Sequence, residues 1–337
     1  MSHHTERHMT IVFIIGIMAC LIFNGCQEKQ SEPSRELTKI TVGKVPAIVE
    51  ASVHVAYEKG YFKDEGLDVE LIMNPDGKTS LQMLFDGKAD IVNVMGTPVV
   101  YASFDRDDFY IIGKIRHSKI HFVVARKDRG IHKTSDLKGK KVAVTKGTSA
   151  EFFMDAYLIY NGIAPSELEV VYMDAPTMVD AIGKGEVDAM FCWSPFPFLA
   201  QKLLGENAVV LPSETIVPGS WLVVAKKDFA SEHPDILRKY LKGIVRAEQF
   251  IEENREEAVS IHAGVAGVDR GIVSELFKNM KLDLCLDQAL LNDLEDQGRW
   301  AIRYHYTNKD QVPNYLNSIH PGPLREVKPH AVTVIKP

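Results

Sequence analysis

Two short runs carry the residue types from which an anion site can be built. Asp76-Gly-Lys-Thr-Ser80 and Lys146-Gly-Thr-Ser-Ala150 each place a glycine and hydroxyl residues just ahead of an apolar stretch at helical spacing. The first turn of a helix has N–H groups without intrahelical partners, and the macrodipole adds partial positive charge there, so such a start favours an anion. Glycine lets the backbone come close to a ligand. The candidate ligand residues are therefore Gly77, Lys78, Thr79 and Ser80 in the first run and Gly147, Thr148, Ser149 and Ala150 in the second. The plain alternative is that Thr79, Ser80, Thr148 and Ser149 only cap their helices. One run in each half of the chain favours binding. The first run ends like a phosphate-binding GKT loop, but the residue five before Gly77 is Ile72 rather than glycine, which argues against ATP.

Met95-Gly-Thr-Pro98 and Cys192-Trp-Ser-Pro195 follow two strand-like runs at matching places. Open α/β sheets place ligands beyond the carboxyl ends of their strands, which makes Gly96, Thr97, Trp193 and Ser194 further candidates. Trp193 offers a flat apolar wall or, equally, a core residue. Trp221 opens a later strand and reads as packing. Arg116 and Lys119 read as solvated charge near a cleft mouth. Ser149 has no His and Asp near it in a familiar order, there is no HExxH, and Asp180 and Glu186 lack partners for acid–base work. A binder is favoured over a catalyst.

These residues sit on a chain that repeats itself. Asp76, Thr79, Gly87 and Asp90 return 98 positions later as Asp174, Thr177, Gly185 and Asp188, and His121-Phe-Val-Val-Ala-Arg-Lys-Asp128 returns 100 positions later as Trp221-Leu-Val-Val-Ala-Lys-Lys-Asp228. The period suits duplicated α/β lobes facing one another across a cleft. Strands over 39–43, 67–72 and 89–94 alternate with helices over 53–59 and 78–85, and the same order returns as strands 141–145, 168–172 and 187–191 with helices 150–160 and 178–182. After a strand over 221–225 the pattern is nearly all helical, with Ser231 as the expected N-cap of an apolar stripe from Ile236 to Val245 and Pro234 in its first turn. The fold class is α/β, mostly parallel, with two lobes joined by a two-crossing hinge and a helical C-terminal region. The expected boundaries are lobe 1 over 38–125 and 223–337 and lobe 2 over 126–222.

In 337 residues, 45% are hydrophobic and 25% charged, with a net charge of −6 and mixed signs, which excludes a general nucleic-acid binder. Ile11 to Phe23 is an apolar run of 13 residues, short for a membrane span and suited to an export signal. It ends at Phe23-Asn-Gly-Cys26, which resembles a lipobox, with Ile17-Met-Ala-Cys20 as a competing match. The reading is a lipoprotein signal over 1–25, lipidation at Cys26 and a polar tether over 26–37. Cys192 and Cys285 read as separate buried thiols, and no spacing suits a metal site.

With Tyr57-Glu-Lys-Gly-Tyr-Phe-Lys-Asp-Glu-Gly-Leu-Asp-Val69, Gly87-Lys-Ala-Asp90 with Thr97-Pro98, Asp136-Leu-Lys-Gly-Lys140, Lys146-Gly-Thr-Ser-Ala-Glu151 and Gly185-Glu-Val-Asp-Ala189, the chain resembles the substrate-binding proteins of ABC importers in the nitrate, sulfonate and taurine group, related to binders of thiamine pyrimidine precursors. The resemblance runs from about Thr38 to the C-terminus. It implies a periplasmic-binding-protein type II fold in a monomeric, lipid-anchored, extracytoplasmic receptor without a cofactor. Its partners would be a permease with a cytoplasmic ATPase. It also implies that Gly77 to Ser80, Gly96-Thr97, Thr148 to Ala150 and Trp193 line the cleft. Where many relatives carry W-E-P this chain has Ser194, which disfavours a ligand whose amine needs a carboxylate at that place. A small anion such as an alkanesulfonate, a carboxylate or nitrate is the leading ligand. A pyrimidine is the alternative, with Trp193 to stack on it and Glu50 or Glu151 to bind its nitrogen. The related pyrimidine-synthesising enzymes have a cysteine-rich segment, of which this chain has only Cys192.

Overall fold

The computed structural model describes residues 36–116, 120–213, 219–278 and 280–335. The proposed signal, the tether up to residue 35, Cys20, Cys26 and Lys119 lie outside the described residues. Eleven strands are described: β1 (Thr38–Lys44), β2 (Leu67–Met73), β3 (Ile91–Met95), β4 (Phe109–Arg116), β5 (His121–Arg126), β6 (Lys141–Val144), β7 (Glu169–Tyr172), β8 (Ala189–Trp193), β9 (Ala208–Leu211), β10 (Trp221–Lys226) and β11 (Asp283–Cys285). They form two sheets, in the orders β11-β4-β10-β3-β1-β2 and β7-β6-β8-β5-β9. Helices cover both, and each sheet has its own apolar core.

The two sheets superpose in order once the repeat is applied. β1, β2 and β3 correspond to β6, β7 and β8, and each triplet is parallel. The antiparallel strand beside each triplet comes from the other half. β5, which follows the first repeat, pairs with β8, whereas β10, which follows the second, pairs with β3. This corrects the expected boundaries. His121–Arg126 belongs to the second sheet, so the chain leaves lobe 1 between Arg116 and His121, not after residue 125. It is back in the first sheet by Trp221, not at residue 223. The physical reason is that the apolar pattern Val-Val-Ala fits the middle of either sheet equally well.

The repeated aspartates do one job twice. Asp90 Oδ2 accepts from the Thr41 N–H at 2.7 Å, and Asp188 Oδ2 accepts from the Lys141 N–H at 2.9 Å. Each carboxylate thereby ties the start of the third parallel strand to the first. Gly87 and Gly185, three residues earlier, hold positive φ angles of 70° and 76° that end the preceding helices.

The C-terminal helices complete lobe 1. The longest, Pro234–Glu253, buries Ile236, Leu237, Tyr240, Leu241 and Ile244 against it, and Gly243 lets the Phe62 ring lie where a Cβ would come within 2.6 Å. Ser231 does not cap this helix. It lies inside the preceding helix Lys227–Glu232, its hydroxyl donates to the Lys227 carbonyl at 2.8 Å, and His233 with Pro234 begins the new one. Cys192 is buried in β8 of the second sheet and Cys285 in β11 of the first, and burial pushes the Cys192 thiol up.

Asp90→Ala and Asp188→Ala are each expected to cost about 2 kcal/mol, the worth of a hydrogen bond to a charged acceptor plus an orphaned strand N–H. Urea unfolding of the single and double variants checks this, with losses that add because the two bonds lie in separate sheets.

Candidate functional site

The carboxyl ends of β3 and β8 and the amino ends of β5 and β10 meet at one place between the lobes. In the registers, Met95 faces Trp221 and Trp193 faces His121. Met95, Trp193 and Trp221 wall a cavity of about 30 Å³, little more than one water, so a solute must part the lobes to enter. Val45, Ala47 and Pro98 complete the apolar side in lobe 1, and Ile120 lies where the chain crosses. Gly77 borders the cavity from lobe 1, Thr148 and Ser149 from lobe 2. The two glycine-led helix starts therefore converge.

Neither start is capped by the hydroxyls that were its alternative role. In the helix Gly77–Phe85 it is Asp76 whose carboxylate accepts from the Thr79 N–H, at 2.7 Å. Thr148, ahead of the helix Ser149–Tyr160, turns away and donates to the Thr145 carbonyl at 2.7 Å. Ser149 Oγ lies 2.9 Å from His121 Nε2, a pairing across 28 residues that the linear order hid. The serine has spent one of its hydrogen-bonding valences there and keeps the rest for the cleft. Gly77 is required sterically, since a Cβ would come within 2.8 Å of the Val94 side chain. Gly147 sits at a φ of +75° with Lys78 lying over it from the opposite lobe.

The other candidates fall differently. Lys78 and Gly147 line an adjoining chamber of about 380 Å³, and Thr79 is exposed on an outer opening with Asp76 and Lys78. Ser80 is buried against Gly43, with no partner for its hydroxyl among the described residues. Thr97 points into lobe 1 and donates to Gln297 Oε1 at 2.6 Å, and Gly96 packs on the same Gln297. Ala150 is in the lobe 2 core. Ser194 is buried with no partner for its hydroxyl among the described residues, while its N–H donates to the Ile120 carbonyl at 3.0 Å. Ser80, Gly96, Thr97, Ala150 and Ser194 thus stand behind the cavity wall and are not among the residues lining it.

The sequence pattern reads Trp221 as packing. It is buried at the cavity, and its Nε1–H has no partner among the described residues. Leaving an indole donor unpaired in a buried site costs about 1–3 kcal/mol, so a group arriving in the cavity gains by accepting from it. Its signal lay in the repeat. It holds the place of His121, the first residue of the antiparallel strand.

The turn that supplies Val45 and Ala47 rests on buried ionisable side chains. Lys44 Nζ lies 3.1 Å from His54 Nε2, and His54 Nδ1 lies 3.0 Å from His262 Nδ1. Burial holds both imidazoles below their ordinary range, His262 at about 3. Glu50 is fully buried, its Oε1 accepting from the Val45 N–H at 3.3 Å, and burial pushes its carboxyl up to about 8. Among the described residues no three His, Cys, Asp or Glu side chains gather as a metal site.

The family model described as NMT1/THI5 like matches residues 49–258. The chain belongs to the NMT1/THI5-like family. It is 26% identical over 276 residues to the "Putative aliphatic sulfonates-binding protein" of Bacillus subtilis (strain 168), covering 80% of this chain and 81% of that protein. It is 27% identical over 233 residues to the taurine-binding periplasmic protein of Escherichia coli (strain K12), covering 65% and 70%. Among solved structures, the alkanesulfonate-binding protein SsuA of Xanthomonas axonopodis pv. citri, bound to MOPS, matches with a TM-score of 0.74 at 18% identity, over 85% of this chain and 99% of that one. This is the fold that the family resemblance implied, and these curated relatives are named as binding proteins.

Glu50 gives a pH test of the cleft wall. Its proton is held more tightly in the folded chain (about 8) than in the unfolded one (4.5), so the stability it contributes is complete below about pH 4.5 and is lost as pH rises through 8. Glu50→Gln keeps the acceptor for Val45 and does not titrate. Its stability relative to wild type should therefore rise between pH 5 and 9, by on the order of 3 kcal/mol, in urea unfolding across that range.

Proposed function

We propose that this protein is the extracytoplasmic, lipid-anchored receptor of an ABC importer, a monomer that captures a small sulfonate-class anion between its lobes and delivers it to a permease with a cytoplasmic ATPase. The observation that carries the anion reading is the convergence of the Gly77 and Ser149 helix starts on one cavity whose wall holds the indole N–H of Trp221, which has no partner among the described residues. Donors from both lobes then meet one oxyanion, and charge-assisted hydrogen bonds of this kind are the strong ones. The names of the curated relatives support the sulfonate class, and the lipobox-like Phe23-Asn-Gly-Cys26 supports the anchor. No described helix is long and apolar enough to cross a membrane.

Calorimetry with short alkanesulfonates, nitrate and dicarboxylates tests the ligand class. A sulfonate should bind, and Trp221→Phe should weaken it about tenfold while the circular dichroism of the protein stays the same. Binding of no anion, or an unchanged affinity in the variant, would count against this site. Fractionation tests the anchor: the wild-type chain should follow membranes, and Cys26→Ala should leave them.

A further inference from the structure

The cavity wall is only as exact as the backbone behind it. Met95 and Trp221 form the pair that ends the β3–β10 ladder at the cavity, and beyond them the Gly96 N–H donates to the Ser220 carbonyl at 2.9 Å. The second crossing enters lobe 1 here, so the place of the Trp221 indole depends on what fixes Ser220 and Gly96.

Two side chains of the helix Gln288–Arg303 meet this junction. Gln297 Oε1 accepts from the Thr97 hydroxyl at 2.6 Å, while its Nε2 donates to Asp293 Oδ1, one turn earlier, at 2.9 Å. A Cβ on Gly96 would come within 3.2 Å of that Nε2 and 3.8 Å of the Ser220 carbonyl oxygen, so the amide packs directly on the junction. Thr97, Ser220 and Gln297 are all buried. Burial pushes the Asp293 carboxyl up, and the Ser220 side chain, the Gln297 amide and the charge of Lys114 act against that push. Asp293 Oδ2 is buried with no formed hydrogen bond among the described residues.

The helix is fastened at both ends. Its N-cap, Asp287, accepts from the Leu290 N–H at 3.1 Å and from Lys114 Nζ at 2.7 Å, and Lys114 stands on β4 opposite Leu222 of β10. Near its other end Trp300 Nε1 donates to Asp155 of lobe 2 at 3.0 Å. Apolar groups in place of Gln297 and Thr97 would fill the same space at nearly equal stability. A buried polar relay is a costly way to gain stability and an effective way to fix one arrangement, because its members orient one another.

We propose that Gln297, with its amide oriented by Asp293, is a positioning residue for solute capture: it locks Gly96 and Thr97 to Ser220 and so holds the Trp221 indole in one orientation at the cavity. Neither Gln297 nor Asp293 lines the cavity, and both act through Trp221. This rests on the reading of Trp221 as a donor to the anion.

The test joins a spectroscopic signal to a binding cycle, on the full chain in detergent. With isotope-labelled indole nitrogens the 3 Trp residues each give an N–H resonance, and Trp221→Phe identifies that of Trp221. In the solute-free protein Gln297→Met should displace the Trp221 resonance far more than that of Trp193. Thr97→Val keeps the shape and removes one hydroxyl, should act in the same direction, and takes the place of Gln297→Met if that variant does not fold. By calorimetry with ethanesulfonate, Gln297→Met should weaken binding about 3- to 10-fold, the range for one hydrogen bond, but less than about twofold in the Trp221→Phe background, where no indole donor is left to position. Asp293→Ala should weaken binding too and add nothing to Gln297→Met, since both break one relay; additive losses would remove Asp293 from it. Equal losses from Gln297→Met in both backgrounds, or an unmoved Trp221 resonance, overturn the positioning role. If ethanesulfonate does not bind the wild-type chain, the sulfonate reading falls, and the resonance by itself decides whether Gln297 positions Trp221.

Discussion

β5 and β10 each run antiparallel beside a parallel triplet that the opposite half of the chain has built. Neither sheet can be completed without a strand from the other half, so the chain must cross between lobes twice. The antiparallel direction brings the first residue of each returning strand beside the last residue of β3 or β8. That places Trp221 beside Met95 and His121 beside Trp193, all at the same end of the two sheets. The cleft is thus a consequence of the strand exchange. Its walls are strand ends, and the backbone there is already committed to ladder hydrogen bonds, which makes the side chains rigidly placed.

The two helix starts that border the cavity are not repeat mates. The helix Ser149–Tyr160 follows β6 and so corresponds to Ala51–Glu58 after β1, whereas Gly77–Phe85 follows β2 and corresponds to Ala175–Lys184. Duplication supplied a common frame, and the two lobes then use different corners of it. In lobe 1 the corner after β1 holds buried Glu50 and the apolar Val45 and Ala47, while in lobe 2 the matching corner holds Gly147, Thr148 and Ser149. One lobe therefore supplies the greater apolar surface and the other the greater share of hydroxyls and amides. A small amphiphilic solute can be oriented by that difference.

Element order, the parallel triplets and the glycine-led helix starts were legible, because each follows from a local apolar period or a local turn residue. The strand exchange was not, since Val-Val-Ala is the same in either sheet. Thr97 resembled a cleft residue because of where its strand ends, but its hydroxyl partner, Gln297, is 200 positions away. The Ser149–His121 pair and the carboxylate of Asp155 under Trp300 were invisible for the same reason. Trp221 carried a readable signal in its register with His121. In the 100-residue echo the matching Val-Val-Ala residues are core, and the two positions that differ in kind, His121 and Trp221, stand at the cleft.

The helix Ser149–Tyr160 links capture to closure. Its first residue, Ser149, borders the small cavity, Glu151 borders the aromatic chamber, and Asp155 accepts from Trp300 and Tyr306 of lobe 1, with Phe152 edge-on to Trp300 at a centroid distance of 5.0 Å. A helix of twelve residues moves as one body, so parting the lobes breaks the Asp155 contacts and withdraws Ser149 from Gly77 in the same motion. Burial pushes the Asp155 carboxyl up, so its charge is tolerated through the two donors from lobe 1, and opening exposes it to water instead. Opening sets the loss of those contacts against renewed hydration of the same carboxylate, and the balance of the two fixes the equilibrium. A bound solute tips it by spending donors and acceptors that are otherwise idle in the closed form. Site assembly and lobe closure are then one equilibrium, set by the same few buried polar groups.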